Sequence, residues 1–239
     1  MSRLPSLDTA PLTIDDVLER FRAIDAQLAP TDGLRAFNQL YTKMTEEVAR
    51  SVAGTTFEDE AFMRRLDVVF ATRYFAAVRD AFAPRPASRA WQALFDHRGR
   101  RGVSTLRFAI AGMSAHINFD LALALVDTCR ERGVPLVAGS PQYRDYERIN
   151  TVLARTMPLV KIWYSTGLIG VLDTAMGDVD DVLALVSIVR AREAAWTHGE
   201  TLWALPGPPA LAARLVETLD RSVGLMGRAL LAPQVPLQA

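Results

Sequence analysis

The sequence has few of the residue types that build covalent staples and metal clusters. Only one of its 239 residues is a cysteine, and only three are histidines. The single cysteine, Cys129, excludes an internal disulfide and a cysteine-based zinc cluster. Three histidines are also too few to favour a multinuclear zinc site.

The sequence also lacks an excess of either charge. Lys plus Arg and Asp plus Glu both number 27, so the formal net charge is zero. No global field therefore favours nucleic acid or an acidic membrane as a partner. The N-terminal stretch lacks the apolar region of a signal peptide. The longest apolar run, near residues 121–126, is too short to span a bilayer. We predict a cytoplasmic protein with no nucleic-acid partner and no membrane span.

Long runs of alternating apolar and polar residues are missing, which argues against a β-sheet. Apolar residues make up half of the chain and recur at helical spacing almost everywhere. No linker rich in Pro, Gly or Ser divides the sequence. We therefore predict one all-α domain over residues 1–239, a bundle of about eight helices with flexible tails at 1–12 and 232–239. The apolar fraction permits a homodimer.

Caps and helix breakers set the expected helix boundaries. Thr13, followed by acidic residues in the first turn, predicts a helix start. A longer helix over about residues 104–132 ends with cations and then Gly133. Because this helix is apolar on most sides, we expect it at the centre of the bundle. We expect Pro158 to kink or break the helix that starts near Gln142.

The predicted central helix carries polar residues on a face that should be buried. Gly112, His116 and Asp120 follow one another at steps of four. Asp120 needs a partner because an unpaired buried charge is costly, and His116 lies one turn away. The two residues are interpreted as a hydrogen bond joining helices, as half of a metal site, or as an acid–base pair. Gly112 leaves space for another helix, a substrate or an ion.

Polar residues fall on apolar faces of other predicted helices too. Those on the second and third helices are Asn38, Tyr41, Thr45, Asp67, Arg73 and Tyr74. We expect the mid-helix Asp67 to pair with Arg73 or with a residue of another helix. Together the stripes predict a ligand-sized pocket between helices, with Trp163 and Trp196 on its apolar side.

Several segments resemble a known family. They are DGLRAFNQLYTKMTE, RLDVVFATRYFAAV, AGMSAHINFDLALALV, DYERIN and AREAAW. They resemble a bacterial family, common in actinobacteria, that is known as a domain of unknown function, and the similarity spans about residues 33–203. Its most specific element is G-M-N-A-H-I-N-x-D-L, matched by Gly112, Met113, Ala115, His116, Ile117, Asn118, Asp120 and Leu121. Ser114 stands where the family pattern has Asn, which would imply altered chemistry if that Asn binds a ligand.

A looser similarity concerns the G-x-x-x-H-x-x-x-D spacing. It is similar to a buried helix of the all-helical zinc-dependent phospholipase C and nuclease group, in which the His and Asp bind metal. The rest of that group's histidine-rich pattern is missing here. The similarity therefore adds only modest support for a metal site. With so few histidines we expect one divalent ion or none, and the alternative ligands are His116, Asp120 and Asp67.

From these patterns we predict a cofactor-independent enzyme that acts on a hydrophobic small molecule. The expected reaction is a lyase, cyclase or isomerase step in specialised metabolism. The predicted catalytic residues are His116, Asp120, Tyr74 and Tyr41. The predicted substrate-binding residues are Asn38, Thr45, Arg73, Gly112, Ser114, Asn118, Trp163 and Trp196. The alternatives are a hydrolase or phosphoesterase that uses one divalent metal ion, and a non-catalytic helical binding protein.

Overall fold

The computed structural model describes residues 7, 9–52, 57–82, 87–165, 188–205 and 209–233, with the side chains of residues 51–52 and 154–165 outside that description. These residues form helices and no strand. The eight helices are α1 (Ile14–Asp25), α2 (Gly33–Val52), α3 (Glu60–Ala81), α4 (Arg89–His97), α5 (Thr105–Arg132), α6 (Pro141–Ser165), α7 (Ile188–Ala204) and α8 (Pro209–Leu230). The predicted all-α class, the number of helices and the central helix are confirmed. The outermost parts of the predicted flexible tails, residues 1–6 and 234–239, lie outside the described residues.

The capping signals lie where the sequence predicted them. The Thr13 hydroxyl accepts a hydrogen bond from the Asp16 N–H, and the Asp16 carboxylate accepts one from the Thr13 N–H. At the far end of α5, Gly133 has φ +66°, a left-handed conformation that favours glycine. The predicted break at Pro158 does not occur, because α6 continues to Ser165. A proline removes one backbone hydrogen bond, and a helix of 25 residues keeps the others.

Helix α5 is the centre of the bundle, with neighbours on all sides. It packs against α2, α3, α4, α7 and α8. By length and composition this helix could cross a membrane, but 83% of its most apolar window is buried inside the protein. Such burial is typical of the core helix of a soluble protein.

Two glycines bring α2 and α5 into close contact. A Cβ on Gly112 of α5 would lie 2.4 Å from Cγ of Phe37 on α2. A Cβ on Gly33 of α2 would likewise lie 2.4 Å from a ring carbon of Phe108 on α5. Each helix therefore places a phenylalanine where the other has no side chain. The space beside Gly112 is occupied by a neighbouring helix.

One turn of α5 departs from α-helical geometry. Residues His116–Asp120 form a π turn, in which the Leu121 N–H bonds to the His116 carbonyl five residues earlier. The turn joins two α-helical segments, Thr105–Ala115 and Leu121–Arg132. Single π turns inside α-helices occur frequently at functional sites. The His–Asp pair singled out in the sequence forms the two ends of this turn.

Candidate functional site

A cavity of about 110 Å³ lies between helices α2, α3, α5, α6 and α7. Its walls are mostly aliphatic and aromatic. The polar residues of its lining are Tyr41, Thr45, Asp67, His116 and Arg192. The polar stripes of three helices therefore converge in part on one space. Thr45 is itself buried, with 6% of its surface exposed.

His116 is fixed from one side by a buried carboxylate. Its Nδ1 lies 2.9 Å from Oδ2 of Asp120, and the indole N–H of Trp91 donates to the same oxygen at 2.8 Å. All three side chains are buried. Since the carboxylate oxygen accepts both bonds, we infer that the imidazole proton sits on Nδ1. The lone pair is then on Nε2.

Nε2 of His116 is an unpaired acceptor on a cavity-lining residue. It is buried and has no hydrogen-bond partner among the described residues. The ring stacks on Phe70 at 3.6 Å between centroids, and the Tyr41 ring lies 4.6 Å away. Burial lowers the pKa of His116, while the hydrogen bond and charge of Asp120 partly oppose that shift. The imidazole is therefore neutral at pH 7 and available as a base.

Tyr41 and Asp67 add two further titratable groups to the lining. The Tyr41 hydroxyl is buried without a hydrogen-bond partner in the described part of the chain. Burial, together with nearby carboxylates, raises its pKa well above the usual value, so the phenol stays a hydrogen-bond donor. Burial raises the pKa of Asp67 to about 6, although the charge of Arg192 acts to lower it. Of the two partners that the sequence left open for Asp67, the interacting one is thus a residue of another helix, Arg192, and not Arg73.

Arg192 is a buried cation that the sequence analysis missed. Its side chain stacks on the Tyr146 ring at 3.9 Å, donates from Nε to Oδ1 of Asn150 at 2.6 Å, and from Nη2 to the Tyr146 carbonyl at 3.1 Å. These partners on α6 are neutral. The signal was present in the sequence, because Arg192 shares the apolar stripe of Ile188 and Trp196 at steps of four.

Asn38 and Tyr74 are directed to each other instead of to the cavity. The Tyr74 hydroxyl donates to Oδ1 of Asn38 at 3.1 Å, and Nδ2 of Asn38 donates to the Phe21 carbonyl at 2.9 Å. Both side chains are completely buried. The predicted catalytic residue Tyr74 and the predicted substrate-binding residue Asn38 thus take part in two hydrogen bonds that link α1, α2 and α3.

Three other predicted binding residues lie away from the cavity lining. Arg73 forms an ion pair with Asp127 of α5. Ser114 contacts α8 by donating to Sδ of Met226 at 3.2 Å, and it accepts from Nδ2 of Asn118 at 3.1 Å. Ser114 therefore faces a neighbouring helix.

The predicted tryptophans are not both within the described structure. Trp196 is buried against Tyr143 and Tyr146, with ring centroids 4.9 and 5.0 Å away. Its indole N–H has no hydrogen-bond partner among the described residues. The side chain of Trp163 lies outside the described residues.

The donor set for a metal ion is small. Across the described ranges, no three His, Cys, Asp or Glu side chains are grouped so that they could hold an ion. His116 and Asp67 line the same cavity, whereas Oδ2 of Asp120 already accepts from Trp91 and His116. A catalytic zinc site commonly has three protein ligands.

Fold and site together define an all-helical protein with a buried His–Asp pair beside an inter-helical cavity. The chain belongs to a family of unknown function, DUF5995, whose model matches residues 14–233. The resemblance to a family of unknown function is thereby confirmed, and the match extends beyond the segments that suggested it. No curated protein and no solved structure matches the chain.

Proposed function

We propose that this protein is an enzyme that moves a proton on a small, largely apolar molecule bound in the cavity. The observation that carries the proposal is the state of His116. Its Nδ1 is fixed by Asp120, while its buried Nε2 has no partner in the described structure. Leaving a buried acceptor unpaired costs about 1–3 kcal/mol, and His116 lines the cavity, so the partner that we propose for Nε2 is a molecule bound there.

Each group has a distinct role in such a reaction. His116 takes a proton through Nε2, and the carboxylate of Asp120 stabilises the imidazolium that forms. Tyr41 donates a hydrogen bond to a substrate oxygen on which negative charge develops. Trp91 acts as a positioning residue, because its N–H holds the Asp120 carboxylate in place.

This arrangement suits removal of a proton next to a carbonyl group. The electrons of the C–H bond move towards the carbonyl oxygen, which Tyr41 stabilises, and the proton passes to His116. Return of the proton to a different carbon completes an isomerisation, whereas loss of a leaving group completes an elimination. Isomerisation, elimination and cyclisation next to a carbonyl group can each begin with this step. The proposed setting is the cytoplasm.

Exchange of carbon-bound hydrogen in deuterated buffer tests the proposal without knowledge of the natural substrate. Small ketones such as cyclopentanone serve as probes, and loss of the proton signal next to the carbonyl is followed by NMR. We expect the protein to accelerate exchange, and His116→Gln to reduce that acceleration by about 10²–10⁴-fold. Glutamine still offers an amide to Asp120 but takes up no proton.

His97→Gln is the matched control for that substitution. His97 lies on α4, where its Nδ1 is bonded to the Ala93 carbonyl, and it is not part of the cavity lining. Unchanged exchange in a folded His116→Gln variant would contradict the proposal. A lower melting temperature with no loss of exchange would favour the hydrogen bond as a purely structural link between helices.

We further propose that the proton transfer needs no metal ion. Elemental analysis of protein purified without a histidine tag tests this. A stoichiometric divalent ion that is lost in His116→Ala would favour the metal-dependent hydrolase instead. Exchange activity in metal-free protein would support the cofactor-independent reaction.

A further inference from the structure

The cavity holds a buried positive charge for which the proton-transfer chemistry has no role. We propose that Arg192 binds the carboxylate of the substrate, which is a small keto acid with one carboxylate and a compact apolar body. This inference rests on the proposed function, because it concerns the molecule on which His116 acts. It names the class of substrate and the residue that selects it.

The surroundings of Arg192 make it a binding group for an anion. Only 7% of its surface is exposed, and a buried charge is normally paired with an opposite one. Its hydrogen-bond partners, Asn150 and the Tyr146 carbonyl, are neutral. Asp67 is near enough for its charge to act on Arg192, yet among the described residues no carboxylate oxygen lies within ion-pair distance of the guanidinium.

The guanidinium is also held in one orientation. Its Nε and Nη2 are fixed by α6, and its Cζ lies over the Tyr146 ring, 3.9 Å from the centroid. The Nη1 group makes no hydrogen bond to a described residue, and Arg192 is part of the cavity lining. An oriented guanidinium with free N–H groups is well suited to a carboxylate.

The dimensions and charges of the cavity limit what the carboxylate is attached to. At about 110 Å³, the cavity is smaller than the ~150 Å³ engineered cavity that binds the six carbons of benzene, so it suits a body of about four or five non-hydrogen atoms. Ten of its fifteen lining residues are apolar, among them Leu40, Val48 and Ile188. Asp67 also lines the cavity, and its carboxylate disfavours a second negative charge on the ligand, such as that of a phosphate monoester. A branched or short-chain monocarboxylate satisfies these constraints.

Calorimetric titration with 3-methylbutanoate and 3-methylbutanamide tests the proposal, because the two probes share a shape and differ in charge. We expect the wild-type protein to bind the acid at least tenfold more tightly than the amide. Arg192→Met should abolish this preference, and Arg192→Lys should keep part of it. Arg190→Met is the matched control, since it removes an exposed guanidinium from the same helix. It should bind like the wild type.

Equal affinity of the wild-type protein for the two probes would overturn the proposal, and so would failure of both to bind. This comparison needs no variant, so it decides the question even if Arg192→Met does not fold. Undiminished acid binding in a folded Arg192→Met variant would also overturn it. His116→Gln should bind the acid normally while losing exchange activity. The binding comparison therefore tests the role of Arg192, and the exchange assay separately tests the role of His116.

Discussion

Replacing Asp120 with Asn tests the His116 assignment at the level of a single proton. Both hydrogen bonds to the carboxylate end on the same oxygen, Oδ2. Because the Trp91 indole N–H only donates, an asparagine in this place must direct its carbonyl oxygen, and not its NH₂ group, towards Trp91. That oxygen still accepts from Nδ1 of His116. The variant should therefore keep the same imidazole tautomer and lose only the negative charge.

The loss of charge has two consequences of definite sign. Asp120 opposes the burial that lowers the pKa of His116, so the pKa of His116 should fall further in Asp120→Asn. The unfolded chain, in which the pKa of His116 is higher, takes up a proton at a higher pH than the folded protein does. The contribution of His116 to stability is therefore complete above about pH 6.5 and declines as pH falls towards the pKa of the folded state. The variant should extend that decline to lower pH.

The magnitude follows from the two bonds involved. A hydrogen bond to a charged group contributes about 1.5–3 kcal/mol and a neutral one about 0.5–1.5 kcal/mol. Burying an amide also costs less than burying a carboxylate, which offsets part of the loss. We expect unfolding to be easier by about 1–2 kcal/mol, a fall in Tm of roughly 2–8 °C. The exchange rate should fall roughly tenfold for each 1.4 kcal/mol of lost imidazolium stabilisation.

Nitrogen NMR of labelled histidine measures the tautomer and the titration directly, and three histidines make the spectrum simple. The expected result is the Nδ1–H form of His116 in both proteins, with a lower pKa in the variant. In the double variant Trp91→Phe with Asp120→Asn, the amide is free to turn and should shift the proton to Nε2. An Nε2–H form in the wild type, or an unchanged pKa in Asp120→Asn, would refute the reasoning.

Two further predictions concern the walls of the site. Gly112→Ala should destabilise the protein by about 1–3 kcal/mol through its clash with Phe37, partly offset by about 1 kcal/mol of helix propensity. Gly99→Ala, with nothing within 4 Å of the added carbon, is its control in thermal melts, and equal Tm values would contradict the close packing of α2 on α5. The Asp67→Asn variant should become more stable relative to the wild type as pH rises from about 4 to 8. The difference between their free energies of unfolding should change by up to about 3 kcal/mol over this range. The reason is that a carboxyl with its pKa raised to about 6 contributes stability below its unfolded pKa of 3.8 and loses it as pH passes 6. Urea titrations at both pH values measure this, and a difference that does not vary with pH would count against it.

Local signals in the sequence predicted the fold well because they act within a turn or two. The Thr13 cap and the Gly133 end of α5 depend on backbone groups a few residues away. Helical periodicity likewise reports which face of each helix is buried. These features need no knowledge of what lies opposite.

The site was less predictable because its composition depends on contacts between helices. Spacing placed Tyr74 and Tyr41 on comparable faces, yet one hydroxyl bonds Asn38 and the other has no partner in the described structure. Arg192 was overlooked because a single charged residue on an apolar helix face does not show in the sequence what it binds. Its partners, Asn150 and the Tyr146 carbonyl, lie on another helix, α6. The π turn at His116 was equally hidden, since tertiary packing and not residue propensity selects it.

The π turn has a consequence for the evolution of this chain. Such a turn accommodates one residue more than the α-helix it interrupts. Deleting a single residue between His116 and Asp120 would let the backbone close into a continuous α-helix while both flanking segments keep their packing. The imidazole of His116 and the carboxylate of Asp120 would then no longer have the spacing of their present hydrogen bond. The number of residues between the two flanking α-helical segments should therefore distinguish homologues that retain the His–Asp pair from homologues that retain only the helical bundle.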